Sequence, residues 1–184
     1  MENSFAVFIL THGRPDRVLT DKTLLKCGYN GLLYYIVDNE DKQVDKYIQN
    51  FGADKVIVFD KKEMADNADE GNNFDERRAI LYARNACFKI AKELGIKYFL
   101  QLDDDYYEFV YKFVGIKGGK MTKDINKLFD TVIDFYKKTN ALSIAFAQTG
   151  DFIGGIDNGK GVYRFSKRKC MNSFFVAQKE NFSF

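Results

Sequence analysis

Three consecutive carboxylates, Asp103-Asp104-Asp105, stand at the end of an apolar run that extends from Tyr98 to Leu102. A buried strand that delivers clustered acids to its exit is a poor way to stabilise a fold. Asp is disfavoured in strands, and like charges ~4 Å apart repel by roughly 4 kcal/mol at an effective dielectric of ~20. Side chains two apart in an extended chain point the same way, so Asp103 and Asp105 are expected to share a side. A divalent cation would convert that repulsion into coordination. Mg²⁺ and Mn²⁺ take oxygen ligands, often one or two carboxylates plus substrate phosphates. The competing use of such residues is a polar turn or a helix N-cap.

Other groups capable of chemistry lie at comparable points. Thr11-His12-Gly13-Arg14-Pro15 interrupts the apolar run Phe5–Leu10, and Asp38-Asn39 ends the run Leu32–Val37. Arg77, Arg78, Arg84 and Asn85 fall in the first half of a segment whose apolar spacing is helical. Arginine is the natural fork for phosphate or carboxylate. His12 is the only histidine.

The elements that must position these groups alternate. Phe5–Leu10, Leu32–Val37, Lys55–Phe59 and Tyr98–Leu102 read as buried strands. Asp16–Cys27 and Gln43–Phe51 read as helices stopped by Gly28 and Gly52. Asp60–Asn73 reads as a loop with a helical turn. Glu76–Leu94 is the strongest helix, with Ala79, Ile80, Ala83, Cys87, Ile90, Ala91 and Leu94 on one stripe. Tyr106–Phe113 and Gly118-Gly119 suggest a hairpin-like excursion, Thr122–Lys138 a helix and Ala141–Ala147 a strand. Gly150–Gly161 is glycine-rich and irregular; Tyr163–Phe165 and Met171–Ala177 read as short strands. This order implies an α/β fold, a mainly parallel sheet with helices on both faces and a mixed C-terminal part.

Composition bounds the class. At 184 residues the chain is long enough to bury a core without staples. A net charge of +2 does not by itself announce a nucleic-acid partner. The three cysteines Cys27, Cys87 and Cys170 are odd in number and widely spaced, as in reduced thiols of a cytoplasmic protein. No segment reads as a signal peptide or membrane span.

In open α/β sheets ligands sit beyond the carboxyl ends of the strands. Three strands would release Thr11–Arg14, Asp38-Asn39 and Asp103–Asp105 onto that edge. The helix before the fourth strand runs antiparallel to it, so Arg77, Arg78, Arg84 and Asn85 belong at the same end. Carboxylates for a metal, arginines for phosphate and an Asp for a ribose or base together describe a nucleoside-diphosphate site.

On the same residues the chain resembles the GT-A-type glycosyltransferases. Asp103-Asp104-Asp105 matches their Asp-x-Asp motif, and Ala83-Arg84-Asn85 is similar to a pair that many of them place beside the donor. The ordered set FILTHGRP, DNED, ARNACF and QLDDDY, with MNSFF more loosely, resembles the TET/J-associated glycosyltransferase family. Its phage and eukaryotic members are associated with sugar transfer to hydroxymethylated pyrimidines in DNA. The resemblance implies a GT-A-like fold, with residues 1–110 forming a nucleotide-sugar-binding half and 111–184 an acceptor-side half. It implies a UDP-sugar donor, Mn²⁺ or Mg²⁺, and DNA as the acceptor partner. It assigns Thr11, Gly13, Arg14, Asp38, Arg77, Arg84, Asp103 and Asp104 to the donor, and Asp103 and Asp105 to the metal. For a phage-encoded member the compartment is the host cytoplasm. The family pattern is expected to continue past the MNSFF strand into further acids near the acceptor. The chain stops at Phe184 with Glu180 the only acid after Asp157, so the catalytic base is unassigned.

Two rivals remain at this level. A sugar nucleotidyltransferase would need a glycine-rich loop after the first strand, where this chain has Gly13 alone. A catalytically incomplete nucleotide- or DNA-binding domain would use Lys160, Tyr163, Arg164, Phe165, Lys167, Arg168 and Lys169, which interleave basic and aromatic residues.

Overall fold

The computed structural model describes residues 5–66, 80–113, 119–147 and 172–177. Arg77, Arg78, Cys170, Met171 and Glu180, the Gly150–Gly161 segment, the Tyr163–Phe165 strand and the basic-aromatic stretch 160–169 lie outside them. In chain order the elements are β1 (Phe5–Leu10), α1 (Leu19–Lys26), β2 (Leu32–Asp38), α2 (Val44–Phe51), β3 (Val56–Phe59) and α3 (Lys61–Asp66). There follow α4 (Leu81–Glu93), β4 (Tyr98–Asp103), β5 (Val110–Lys112), β6 (Gly119–Met121), α5 (Ile125–Lys137), β7 (Ile144–Ala145) and β8 (Ser173–Val176).

Six strands form one sheet in the order β3-β2-β1-β4-β8-β7. The first four are parallel, β8 is antiparallel to β4, and β7 is antiparallel to β8. This is the expected α/β architecture, with the mixed part supplied by β7 and β8. The excursion after β4 carries its own antiparallel pair, β5 and β6.

The wholly apolar strands follow from burial on both faces. Val7, Ile9, Tyr35, Val37, Leu100 and Leu102 point to one side, where α1, α2 and α5 cover them. Ala6, Phe8, Leu10, Ile36 and Phe99 point to the other, under α3 and α4. The period of two along each strand thus sorts the core into two layers. Aromatic rings knit each layer internally. Phe129 of α5 meets Phe5, Tyr29 and Phe174 at centroid separations of 5.7, 5.6 and 5.6 Å. Phe99 meets Phe8, Phe88 and Phe175 at 5.3, 5.0 and 5.6 Å.

Several boundaries differ from the sequence expectation. The first helix starts at Leu19, not Asp16. Arg17 N–H closes a turn on the Arg14 carbonyl, and the Leu19 and Thr20 N–H groups donate to the Asp104 carbonyl at 2.8 and 3.2 Å. Orphan donors of a helix start need partners, and here a distant strand exit supplies one. The expected strand Ala141–Ala147 shortens to Ile144–Ala145. Thr139 and Ala141 are held in local bonds at the end of α5, and the Tyr136 hydroxyl donates to the Leu142 carbonyl. At the N-cap of α4, Ile80 is 47% exposed despite its place in the expected apolar stripe, whereas Tyr82 and Arg84 are buried. Cys27 and Cys87 are buried free thiols, and burial pushes both up from the ordinary thiol value. Among the described residues no helix is long and apolar enough to cross a membrane.

Phe99 is fully buried and carries three ring contacts, so Phe99→Ala should cost about 3–5 kcal/mol. Urea denaturation measures it; a loss under about 1 kcal/mol would contradict this view of the α4 layer.

Candidate active site

The sheet changes direction of growth at β1. β2 lies on one side of it and β4 on the other. Such a switch point opens a crevice at the carboxyl ends of the strands. Leu10 and Asp103 are register partners there, so the two exit loops start side by side. A cleft of about 600 Å³ opens at this edge. Leu10, Thr11, His12, Arg14, Asp38, Phe59, Lys61, Ile80, Ala83, Arg84, Asp103, Asp104 and Asp105 line it.

The three aspartates do different things. β4 ends at Asp103 and the chain turns at 104–105, so the extended alternation that would align Asp103 with Asp105 is not maintained. Asp104 is buried and acts within the fold. Its Oδ2 accepts from the Thr11 hydroxyl at 2.7 Å and lies 3.0 Å from Arg14 Nε. Desolvation raises its pKa above the ordinary 3.8, against the opposing pull of Thr11 and Arg14. Asp103 is partly exposed at the cleft, and its Oδ1 sits 2.7 Å from Nη2 of Arg84. Asp105 is exposed.

Thr11 is the hinge of the first exit loop. Its hydroxyl is also 2.9 Å from the Tyr47 hydroxyl, which accepts from Arg14 N–H at 2.9 Å. Burial raises the Tyr47 phenol, so it remains a neutral donor and acceptor. Gly13 turns the loop at φ +70, where a side chain would be strained. Its N–H donates to Asp41 Oδ2 at 2.6 Å and its carbonyl accepts from Gln43 Nε2 at 2.7 Å. Gly13 therefore shapes the loop through its backbone. Asp38 is buried; His12 Nδ1 lies 2.7 Å from its Oδ2 and Lys61 Nζ lies 3.4 Å from its Oδ1.

Arg84 is only 2% exposed, the largest side chain among the described residues to be so enclosed. Its backbone carbonyl accepts from Gln101 Nε2 at 2.7 Å, which ties α4 to β4 next to the carboxylates. A buried guanidinium needs anionic company. It has Asp103, and it lines the cleft.

The structure thus brings Thr11, Gly13, Arg14, Asp38, Arg84 and Asp103–Asp105 to one edge, while Arg77 lies outside the described residues. Sequence reasoning missed Lys61, Asp41 and Asn172. Lys61 hid at the start of a short polar helix, although its place directly after β3 puts it at the same edge. Asp41 closes the DNED motif, but nothing in the sequence separates it from the neighbouring Glu40. Asn172 was met only as part of the looser MNSFF resemblance, with no role: it sits in the left-handed region at φ 56, and its Oδ1 accepts from Asp103 N–H at 3.2 Å. Among the described residues no three His, Cys, Asp or Glu side chains converge as a ready metal cage. Asp103 and Asp105 nevertheless offer the hard oxygen donors that Mg²⁺ and Mn²⁺ complete with phosphate oxygens and water.

Thr11→Val removes a hydroxyl shared by two buried polar groups, so denaturation should show a loss of roughly 1–3 kcal/mol. No change would mean that the Asp104 contact is incidental. At Asn172, glycine tolerates the left-handed backbone and alanine does not. Asn172→Ala should therefore be less stable than Asn172→Gly by about 1 kcal/mol, and equal melting would refute the strain.

Comparison with known proteins places this geometry in context. No curated protein matches the chain. Among solved structures it is similar to that of S. aureus TarS 1-349, a crystal structure in complex with UDP. The identity is 13% and the TM-score 0.47, and the match covers 95% of this chain and 47% of that one. The chain spans about half the length of that relative. The model of the TET-associated glycosyltransferases matches residues 5–184, which takes in both exit loops, the three aspartates and β8. The chain belongs to the TET-associated glycosyltransferase family.

Proposed function

We propose that this chain transfers a sugar from a nucleoside diphosphate, UDP being the nucleotide expected from the sequence, to a hydroxyl acceptor. The acceptor proposed is a hydroxymethylated pyrimidine in DNA. Family membership supports the reaction class. The observation that carries the reading to particular residues is Arg84, a buried guanidinium held 2.7 Å from Asp103 at the mouth of the switch-point cleft.

The chemistry to be assisted is departure of the nucleoside diphosphate. Negative charge grows on the leaving phosphate as the glycosidic bond breaks, and fixed positive groups aimed there lower the barrier. Arg84 meets that need: it is a guanidinium enclosed by the fold and held on Asp103. Asp103 holds the guanidinium in orientation and keeps a partly exposed carboxylate at the cleft. A divalent cation bound between Asp103, Asp105 and the diphosphate would supply Lewis-acid stabilisation of the same leaving group. Arg14, exposed along half of its side chain, remains able to reach a ligand while Nε engages Asp104. Asp104 and Thr11 support the reading in a different role, holding the two exit loops together so that Arg14 and Asp103 keep their spacing. A sugar nucleotidyltransferase is disfavoured, because the loop after β1 uses the Gly13 N–H on Asp41 and leaves no row of backbone donors for a triphosphate.

Asp105 is exposed, so Asp105→Ala should leave stability within about 0.5 kcal/mol. It should nonetheless abolish the gain in UDP affinity that Mn²⁺ gives the unaltered chain. Titration calorimetry with and without Mn²⁺ reads this directly. Equal UDP affinity in both conditions for the unaltered protein would remove the metal from the account. Release of UDP from a UDP-sugar on addition of hydroxymethylated DNA tests the acceptor.

A further inference from the structure

A second groove, of about 580 Å³, lies between the β5–β6 ribbon and the start of α5. It shares no lining residue with the switch-point cleft. The helix α1 separates the two. It begins on the Asp104 carbonyl at the cleft. At its far end the Cys27 carbonyl accepts from Ile125 N–H at 3.1 Å and the Gly28 carbonyl from Asn126 Nδ2 at 2.6 Å, which seats the start of α5 there. Eight residues of helix span about 12 Å.

Tyr111 and Phe113 are two apart on an extended segment, so their rings fall on one side. The centroids are 6.2 Å apart with an interplanar angle of 34°, and the residues are 40% and 45% exposed. The Thr122 hydroxyl donates to the Tyr111 hydroxyl at 3.4 Å, which steadies the first ring. Lys120 is the register partner of Tyr111, so its side chain leaves the ribbon beside that ring. Lys123 and Lys127 enter the same groove from the start of α5. Among the described residues no carboxylate lies within ion-pair distance of Lys120, Lys123 or Lys127. Asp124, the one acid in the lining, accepts the Lys127 N–H at 3.1 Å as the N-cap of α5.

Lysines guard the free edges of a ribbon against pairing. That use accounts for Lys112 and Lys120, and it gives no reason for two exposed rings beside them. We propose that this groove binds single-stranded nucleic acid, with bases stacked on Tyr111 and Phe113 and phosphates on Lys120, Lys123 and Lys127. Ring platforms beside unpaired cations hold a single strand whatever its sequence, because every base has a π-face and every nucleotide a charge. A duplex hides its base faces, so the rings select unpaired strand. An acidic peptide would use the lysines and leave the rings idle. Strand binding here needs no donor and no turnover, so it stands or falls apart from sugar transfer. With transfer to DNA, the groove gives the acceptor strand a second hold, one length of α1 from the cleft.

Fluorescence anisotropy of the full chain with a labelled thymidine homopolymer, and with the same oligomer paired in a duplex, tests this site. The unaltered protein should bind the single strand at least about tenfold more tightly than the duplex. Tyr111→Ala combined with Phe113→Ala should weaken single-strand binding by about thirtyfold or more, and Tyr111→Phe, which keeps the ring, should not. Lys120→Ala, Lys123→Ala and Lys127→Ala together should lower the slope of log affinity against log salt by about two, the release expected from three single-strand phosphates. All five side chains are exposed, so melting and UDP affinity should stay as in the unaltered chain. If the double ring variant melts early, the salt slope of the lysine variant decides alone. Equal affinity for strand and duplex, ring removal without effect, an unchanged salt slope or no strand binding would each overturn the proposal. So would displacement of the oligomer by polyglutamate at equal charge, which reports charge alone, or loss of UDP affinity in these variants, which would join the groove to the cleft. A chain that binds the strand and not UDP overturns the donor reading and leaves this site standing.

Discussion

The buried carboxylate of Asp104 is the joint on which the rest of the site depends. It takes the Thr11 hydroxyl and the Arg14 side chain, while its backbone carbonyl takes the first two N–H groups of α1. One residue therefore ties the exit of β4 to the exit loop of β1 and to the start of the helix that follows it. A buried charge is tolerable only when paired and hydrogen-bonded. That requirement fixes the geometry here, since moving either loop would leave the carboxylate without partners. With the middle aspartate used as the clamp, Asp103 is left to hold Arg84 and Asp105 stays exposed at the cleft.

Around this joint the cleft alternates charge. Arg84 sits against Asp103, Arg14 against Asp104, and His12 and Lys61 against Asp38. Each acid neutralises and orients a basic or titratable group that also borders the cleft. This preorganises donors at fixed positions before a ligand arrives, which is how a site avoids reorganisation cost. The arrangement also explains why α4 carries a buried arginine on a helix otherwise packed by apolar residues. The helix must supply charge at its N-terminal half and core at the rest.

Much of the fold was legible because its signals are local. Apolar runs such as FAVFIL and LLYYIV admit few readings other than two-sided strands, and the alternation of strand and helix fixes a parallel sheet. The convergence of Thr11, Arg14, Asp38, Arg84 and the aspartates followed from topology alone. What sequence could not assign was the division of labour. Asp103, Asp104 and Asp105 are chemically identical, and only tertiary contacts separate the buried clamp from the exposed acids. The same holds for the start of α1, set by a carbonyl 85 residues away in the chain (Asp104 against Leu19). Asn172 and Lys61 were missed for that reason: their importance lies in what they touch, Asp103 and Asp38, and not in any local pattern.

The claim that most needs a direct test is that the outer aspartates and Arg84 face a metal-bound diphosphate, with Asp104 held inside. A crystal structure grown with UDP and Mn²⁺, with anomalous scattering recorded for manganese, settles it. The account predicts an anomalous peak coordinated by Asp105 or Asp103 and by diphosphate oxygens, with Arg84 at the phosphate and Asp104 still on Thr11. Manganese on Asp104, or a nucleotide bound away from the β1–β4 edge, would contradict it.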